Sequence, residues 1–179
     1  MDETFALEII DEAPYGVLAL NGQDGPYGLP LSLVRQDNQL FFHTAKEGHK
    51  YDFIRDGVPV WAVFVTRVKV PDLYTADEMD AMMADPAGAG KLISSVFTTE
   101  FASAMVGGTI HEIHEASEKE AVLRRICQKY TPDKLKYVDA AIASGRDLTR
   151  VFAIDIEKVT GKRKKYDAQR QEMKFGRME

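Results

Sequence analysis

Ten consecutive residues, Phe41-Phe42-His43-Thr44-Ala45-Lys46-Glu47-Gly48-His49-Lys50, concentrate groups suited to holding an anion. Leu40, Phe41 and Phe42 read as the end of a strand. Residues 48–55 read as a helix, with Lys50, Tyr51 and Ile54 at helical spacing and Gly57 as its stop. At a strand-to-helix junction the first amides lack intrahelical partners and the helix dipole is positive, so an anion is welcome there. Thr44 offers a hydroxyl, Gly48 lets a ligand approach the backbone, and His49 and Lys50 add side-chain donors. Together they could hold a phosphate. A plainer reading fits the same residues: Thr44 caps the helix and the basic side chains are solvated.

Other motifs carry less chemistry. His111-Glu112-Ile113-His114-Glu115 is one residue too short for the zinc-protease signature, which needs histidines four apart on one helical face. Here they are three apart in an expected strand, where an odd separation points side chains to opposite faces. Gly88-Ala89-Gly90-Lys91-Leu92 has neither the first glycine nor the Ser/Thr of a phosphate loop. No G-x-G-x-x-G follows an expected strand, which argues against a dinucleotide fold. No Gly-x-Ser-x-Gly elbow is present. Met79, Met82 and Met83 read as gap-filling core. Lys162-Arg163-Lys164-Lys165 reads as a solvated basic tail, without the interleaved aromatics that single-stranded nucleic acids use.

The wider composition agrees with a globular domain. The chain has 179 residues, one cysteine (Cys127) and a net charge of −5, so an internal disulfide framework is excluded and a nucleic-acid partner is disfavoured. No apolar run reaches the roughly 20 residues of a membrane helix, and acids occupy residues 1–15 where a signal peptide would carry bases. A soluble, cytoplasmic protein with no membrane and no nucleic-acid partner is the expectation.

The elements that must position the candidate grip follow from periodicity. Residues 4–12 form a helix with Phe5, Ile9 and Ile10 on one face. Short strands are expected at 16–20, 29–34 and 40–42, separated by turn chemistry at 21–25 and 37–38. The β-branched run 58–65 is a buried strand. An excursion over 68–95 holds a helix opened by the capping box Thr75–Glu78 and ended by Pro86 to Gly90. A long strand spans 97–113, with a bulge at Gly107-Gly108. A second capping box at 117–120 opens a helix burying Val122, Leu123, Ile126, Cys127 and Tyr130. Thr131-Pro132 then starts another helix, carrying Leu135, Val138 and Ile142 until Gly145. Phe152, Ile154 and Ile156 alternate with Asp155 and Glu157 in a strand with one wet face. Six strands joined by turns favour an antiparallel sheet closing into a small barrel.

Gly16-Val17-Leu18-Ala19-Leu20, Gly28-Leu29-Pro30-Leu31-Ser32-Leu33-Val34 and residues 40–50 resemble the flavin-binding split-barrel superfamily. Within it they are most similar to the branch related to pyridoxamine 5′-phosphate oxidase that includes nitroimidazole-resistance proteins. The similarity continues through 98–106, Tyr130-Thr131-Pro132 and 154–162, in order along nearly the whole chain.

This resemblance implies a mainly β fold with α elements: a six-stranded antiparallel split β-barrel flanked by helices and forming a homodimer, with two FMN molecules between the subunits. A single domain would cover 1–161, including the 68–95 excursion, before a basic tail at 162–179. His43, Thr44, Ala45, Gly48, His49 and Lys50 would surround the phosphate and ribityl chain. Pro30, Leu31 and Ser32 would line the flavin ring. Phe101 and Ser103 match a strand approaching from the partner subunit. His43 matches a histidine near the ring in nitroimidazole-resistance relatives and is the candidate proton donor, since an unperturbed imidazole has both forms accessible near neutrality. The implied activity is that of an FMN oxidoreductase with a small-molecule electron donor and a small planar acceptor. Two alternatives stand beside it: a flavin carrier or sensor without turnover, and a haem-binding barrel using His43, His49, His111 or His114. The longer 68–95 excursion departs from the family pattern, and no residues dedicated to a pyridoxamine phosphate substrate are identifiable.

Overall fold

The computed structural model describes residues 2–22 and 25–174; Gln23 and Asp24 of the expected 21–25 turn lie outside them. Helix α1 (Glu3–Glu12) is capped by Asp2, whose carboxylate accepts from the Phe5 amide at 2.8 Å. Seven strands follow: β1 (Gly16–Gly22), β2 (Gly25–Leu31), β3 (Val34–Gln36), β4 (Gln39–Ala45), β5 (Pro59–Lys69), β6 (Glu100–Ile113) and β7 (Thr149–Lys164). Helices α2 (Ala76–Met83) and α3 (Pro86–Ser95) join β5 to β6, and α4 (Ala116–Tyr130) and α5 (Val138–Gly145) join β6 to β7.

The strands form one sheet in the order β2-β1-β5-β6-β7-β4-β3, with every pairing antiparallel. The expected count of six becomes seven because 29–34 is not one strand. It breaks at Ser32-Leu33, where the Leu33 side chain is fully buried and its carbonyl accepts from Tyr130 Oη at 2.7 Å and Lys129 Nζ at 3.0 Å. The sheet is open in its pairing, with β2 and β3 as edges. Its curl nevertheless brings β2 beside the segment after β4. Tyr27 of β2 stacks on Phe53 with ring centroids 4.4 Å apart, and the Phe53 ring occupies the place a side chain at Gly22 would need. Pro26 and Pro30 suit β2 because an edge strand tolerates a missing N–H.

Two apolar clusters flank this sheet. The inner one gathers Phe5, Ile9 and Ile10 of α1 with Leu18, Phe42, Phe64, Ile110, Phe152 and Ile154. The other sandwiches Phe41, Val151 and Ala153 against Val122, Leu123 and Ile126 of α4 and Ile142 of α5. Residues 151–154 are therefore buried on both faces, and the wet face expected of this strand begins only at Asp155 and Glu157, with Ile156 between them buried. The Gly107-Gly108 bulge is present as a register shift against β7, and a side chain at Gly108 would overlap the Asp155 carbonyl.

Several helix boundaries differ from expectation. The Thr75–Glu78 capping box forms, but Pro86 opens α3 behind an Asp85 cap instead of ending the excursion's helix. Helix α4 begins at Ala116 without a side-chain cap, so the 117–120 box does not form. Thr131 Oγ1 donates back to the Cys127 carbonyl at 3.1 Å, closing α4; a 3₁₀ segment at Pro132–Tyr137 then precedes α5. Strand β7 extends through the basic residues Lys162–Lys164. No helix among the described residues is long and apolar enough to cross a membrane.

Candidate functional site

Strand β4 lies between β7 and β3, and its alternation assigns each side chain a face. Leu40, Phe42 and Thr44 turn toward the inner side, whereas Phe41 and His43 turn toward α4 and α5. Beyond Ala45 the chain reaches Gly48 with φ 118° and ψ 163°, a conformation essentially restricted to glycine. A single 3₁₀ turn, His49–Asp52, follows in place of the expected 48–55 helix. The chain must leave helical geometry there because Phe53 turns inward to stack on Tyr27. So short a turn has little summed dipole. An anion here would depend on loop amides and ammonium groups.

Those groups are present. Lys50 folds back so that Nζ donates to the Glu47 carbonyl and lies 4.9 Å from the Tyr51 ring centre. A Cβ at Gly48 would sit 3.1 Å from that Nζ, so the glycine also clears space for the ammonium. Neither Lys46 nor Lys50 has a carboxylate partner among the described residues. His49 does: Nδ1 is 2.8 Å from Asp52 Oδ2, and the ring meets Tyr27 and Phe53 edge-on.

Thr44 plays a different part from the donor expected of it. Its hydroxyl is 2.5 Å from Tyr51 Oη, which donates its one proton to the Ala45 carbonyl at 2.6 Å. The Thr44 proton therefore goes to Tyr51. Opposite Thr44 on β7 is Arg150, whose guanidinium lies 4.3 Å from the Tyr51 ring centre and grips Glu112 through two hydrogen bonds, one of 2.8 Å. The same guanidinium holds the Glu112 carboxyl below its usual range. Thr44, Arg150 and Glu112 thus fix Tyr51, and Tyr51 supports the loop. Sequence reading missed Arg150, because nothing local reveals that residues 44 and 150 are cross-strand neighbours.

His43 faces a separate cavity of about 180 Å³, lined mainly by Leu123, Ile126, Cys127 and Ile142. Its Nδ1 is buried without a hydrogen-bond partner. Burial pushes the imidazole pKa below its ordinary value, so the neutral form prevails at pH 7. That departs from the expectation of two accessible forms. Across the chain, the structure brings Thr44, Ala45, Gly48, His49 and Lys50 together, with His43 on the reverse face of β4.

The remaining candidates lie elsewhere. Pro30 and Leu31 end β2, and Ser32 follows. Phe101 and Ser103 pair with Lys164 and Lys162, whereas Ile113, at the other end of β6, pairs with Val151 beside His43. Twelve residues of strand separate Phe101 from Ile113, roughly 40 Å. Within one chain these two cannot join the 44–50 loop. The outer face of β1, β5 and β6 exposes Val17, Trp61, Val65 and Met105, each 40–47% accessible. Pro30 pairs with Val17, and Ser103 with Val65, so both adjoin this apolar face.

A seven-stranded antiparallel sheet curled about one core, with a helical pair behind β4, defines a split-barrel class of protein. The chain belongs to the pyridoxamine 5′-phosphate oxidase family, whose sequence profile matches residues 2–163. No curated protein sequence matches it significantly. Among solved structures, it is similar to a candidate 5-nitroimidazole antibiotic resistance protein from Bacteroides thetaiotaomicron, at 22% identity and TM-score 0.64, covering 89% of this chain and 82% of that one. It is also similar to the flavocytochrome Anf3 from Azotobacter vinelandii, at 14% identity and TM-score 0.69, with 94% and 72% covered. A third is the FAD and heme binding protein from Mycobacterium smegmatis, at 15% identity and TM-score 0.69, with 90% and 71% covered.

Proposed function

We propose that the protein is a homodimeric flavoprotein that binds FMN and reduces a small planar acceptor. The observation that carries this reading is the 46–50 loop. There the Lys50 ammonium, without a carboxylate partner among the described residues, folds over a glycine whose missing side chain leaves it room, and Lys46, likewise without one, stands two residues ahead of that glycine. The residues present fit a flavin phosphate. Lys46, Lys50 and the loop amides would hold it, with Tyr51 bracing the loop from behind. Similar structures whose names specify flavin cofactors support a flavin over another phosphate ester.

Dimerisation follows from the same reading. Pro30 and Ser103 adjoin the exposed apolar face, while the loop lies far from Phe101 and Ser103 in its own chain. A second copy packed on that face would cover Val17, Trp61 and Met105 and supply Phe101 and Ser103 in trans.

When bound, FMN would accept electrons from a small-molecule donor and pass them on. The chain's own residues would do the rest. His43, neutral and with a buried ring nitrogen that has no partner, would offer a polar contact to an acceptor held among mainly apolar side chains. The cavity's volume suits a single aromatic ring, given that an engineered cavity of about 150 Å³ holds benzene.

The test is an absorbance spectrum of the purified protein, followed by anaerobic reduction with nicotinamide donors and acceptor turnover. A flavin spectrum that cycles supports the proposal. A Soret band would favour haem, and a flavin that no donor reduces would favour a carrier or sensor.

A further inference from the structure

Residues 70–99 leave the sheet between β5 and β6 and fold as a hairpin of α2 and α3. The two helices meet closely, since a side chain at Gly88 would overlap the Met82 carbonyl. Polar contacts tie the hairpin to the end of β7 and the segment after it. Lys164 Nζ donates to Thr98 Oγ1 at 2.6 Å, and Tyr166 Oη donates to the Ser94 carbonyl. Arg170 pairs with Glu78 at 2.8 Å and lies over the Tyr74 ring. The hairpin is thus held in one place against its own chain.

Its apolar side chains are not used there. Neither apolar cluster flanking the sheet takes a described residue from the hairpin. Leu92 is buried, but Met83, Ile93 and Phe97 are 61%, 68% and 77% exposed. Exposed apolar groups gathered on one anchored element mark an interaction surface. At the root of the hairpin, Val68 and Val70 are exposed as well. They continue the apolar face of Val17, Trp61, Val65 and Met105 along β5 and just past its end. That face alone is small, four half-covered side chains where a stable interface takes about 20–30 residues a side. A second copy seated on it meets the hairpin next. Asp77, Asp80 and Asp85, close in sequence to Met83, count against an anionic membrane surface or a nucleic acid as the occupant.

Resting on the flavin reading above, we propose that the hairpin is a dimer arm: it docks on a second copy of this chain and covers the edge of that copy's flavin site. In that reading Phe101 is supplied in trans. Phe97 precedes it by four residues, at most about 14 Å of chain, so the copy that Phe101 touches lies within reach of Phe97. In a two-fold dimer each arm covers the other copy's site and every contact occurs twice. Access to each flavin then depends on an arm carried by the other chain.

Cross-linking and quenching of the full-length, FMN-loaded protein test this. Phe97→Cys and Glu47→Cys proteins, each also carrying Cys127→Ser, are mixed, allowed to exchange subunits and treated with a short bismaleimide. A covalent dimer is expected in the mixture and in neither protein alone. Ile93→Asp with Phe97→Ser, both at exposed positions, should raise the dimer dissociation constant about tenfold or more through lost apolar burial. The same variant should open the bound flavin to iodide quenching. Tyr137→Ser, as exposed as Met83 but on the 3₁₀ segment, should change neither. A dimer that binds FMN yet gives no cross-link in the mixture, or a double variant that dimerises and quenches as the native protein does, refutes the arm and leaves the flavin reading standing. Covalent dimers joined through position 97 alone would show the arms meeting each other and refute it too. A protein that stays monomeric and takes up no flavin refutes the flavin reading, and the arm with it.

Discussion

Replacing Gly48 with alanine isolates the phosphate grip from the rest of the fold. At φ 118° and ψ 163° an alanine is strained by about 1–3 kcal/mol, and its Cβ would meet Lys50 Nζ at 3.1 Å. Gly48 is exposed on a loop tip, so the chain can escape the strain by moving the loop while both apolar clusters stay intact. FMN binding would then have to restore the strained geometry at the same free-energy cost. A penalty of 1–3 kcal/mol corresponds to about a 5- to 150-fold rise in Kd. Quenching of flavin fluorescence on titration with apoprotein measures it, and riboflavin provides the control because it lacks the phosphate. The Gly48→Ala protein should bind FMN 5- to 150-fold more weakly by this arithmetic, with riboflavin affinity unchanged. An unchanged FMN Kd, or equal losses for both flavins, would refute the assignment of this loop to the phosphate.

Four further outcomes are expected. Burial lowers the His43 pKa in the folded state, so the unfolded chain binds more protons below about pH 6.5; stability should fall as pH drops through that value, until the folded pKa is passed. Thermal melts between pH 8 and 5 should show a shallower acid-side decline for His43→Phe than for the native protein. Gly108→Ala would drive a methyl into the Asp155 carbonyl and within 2.9 Å of Ile154 Cγ2, costing about 3 kcal/mol in urea unfolding. Gly90→Ala meets nothing within 4 Å in α3 and should stabilise by about 0.5–1 kcal/mol. The single tryptophan, Trp61, reports on the apolar face: its emission should shift to the blue as protein concentration rises, and Trp61→Lys should give a monomer by light scattering.

How much was legible depends on the range of the interaction. Local signals served well: the Thr75–Glu78 box, the α4 stripe and the Gly107-Gly108 bulge are where spacing and residue type place them. Signals that tertiary contacts override were misread. The Ser32-Leu33 break exists because α4 reaches the Leu33 carbonyl through Lys129 and Tyr130. Residues 48–55 carry helical spacing, but the chain makes only a 3₁₀ turn there and Phe53 turns inward to stack on Tyr27. The candidate site was legible as a stretch of residues, not as an arrangement. Alternation along β4 separates His43 from Thr44, and cross-strand pairing brings Arg150 to Tyr51; the first is implicit in any strand, the second in no local pattern.

That separation makes β4 a bulkhead between two compartments. Substitutions at 43 reshape the cavity beneath α4 and α5, and those at 41 the apolar packing beside it, without touching the loop, whereas substitutions at 44 act on Tyr51 and leave the cavity alone. Affinity for the anion and selectivity for whatever enters the cavity can therefore be adjusted as separate quantities, by choosing odd or even positions. A single inserted residue ahead of His43 would exchange the two sets of side chains between compartments and abolish both at once. Mutational tolerance along this strand should accordingly be generous to replacement and unforgiving of length.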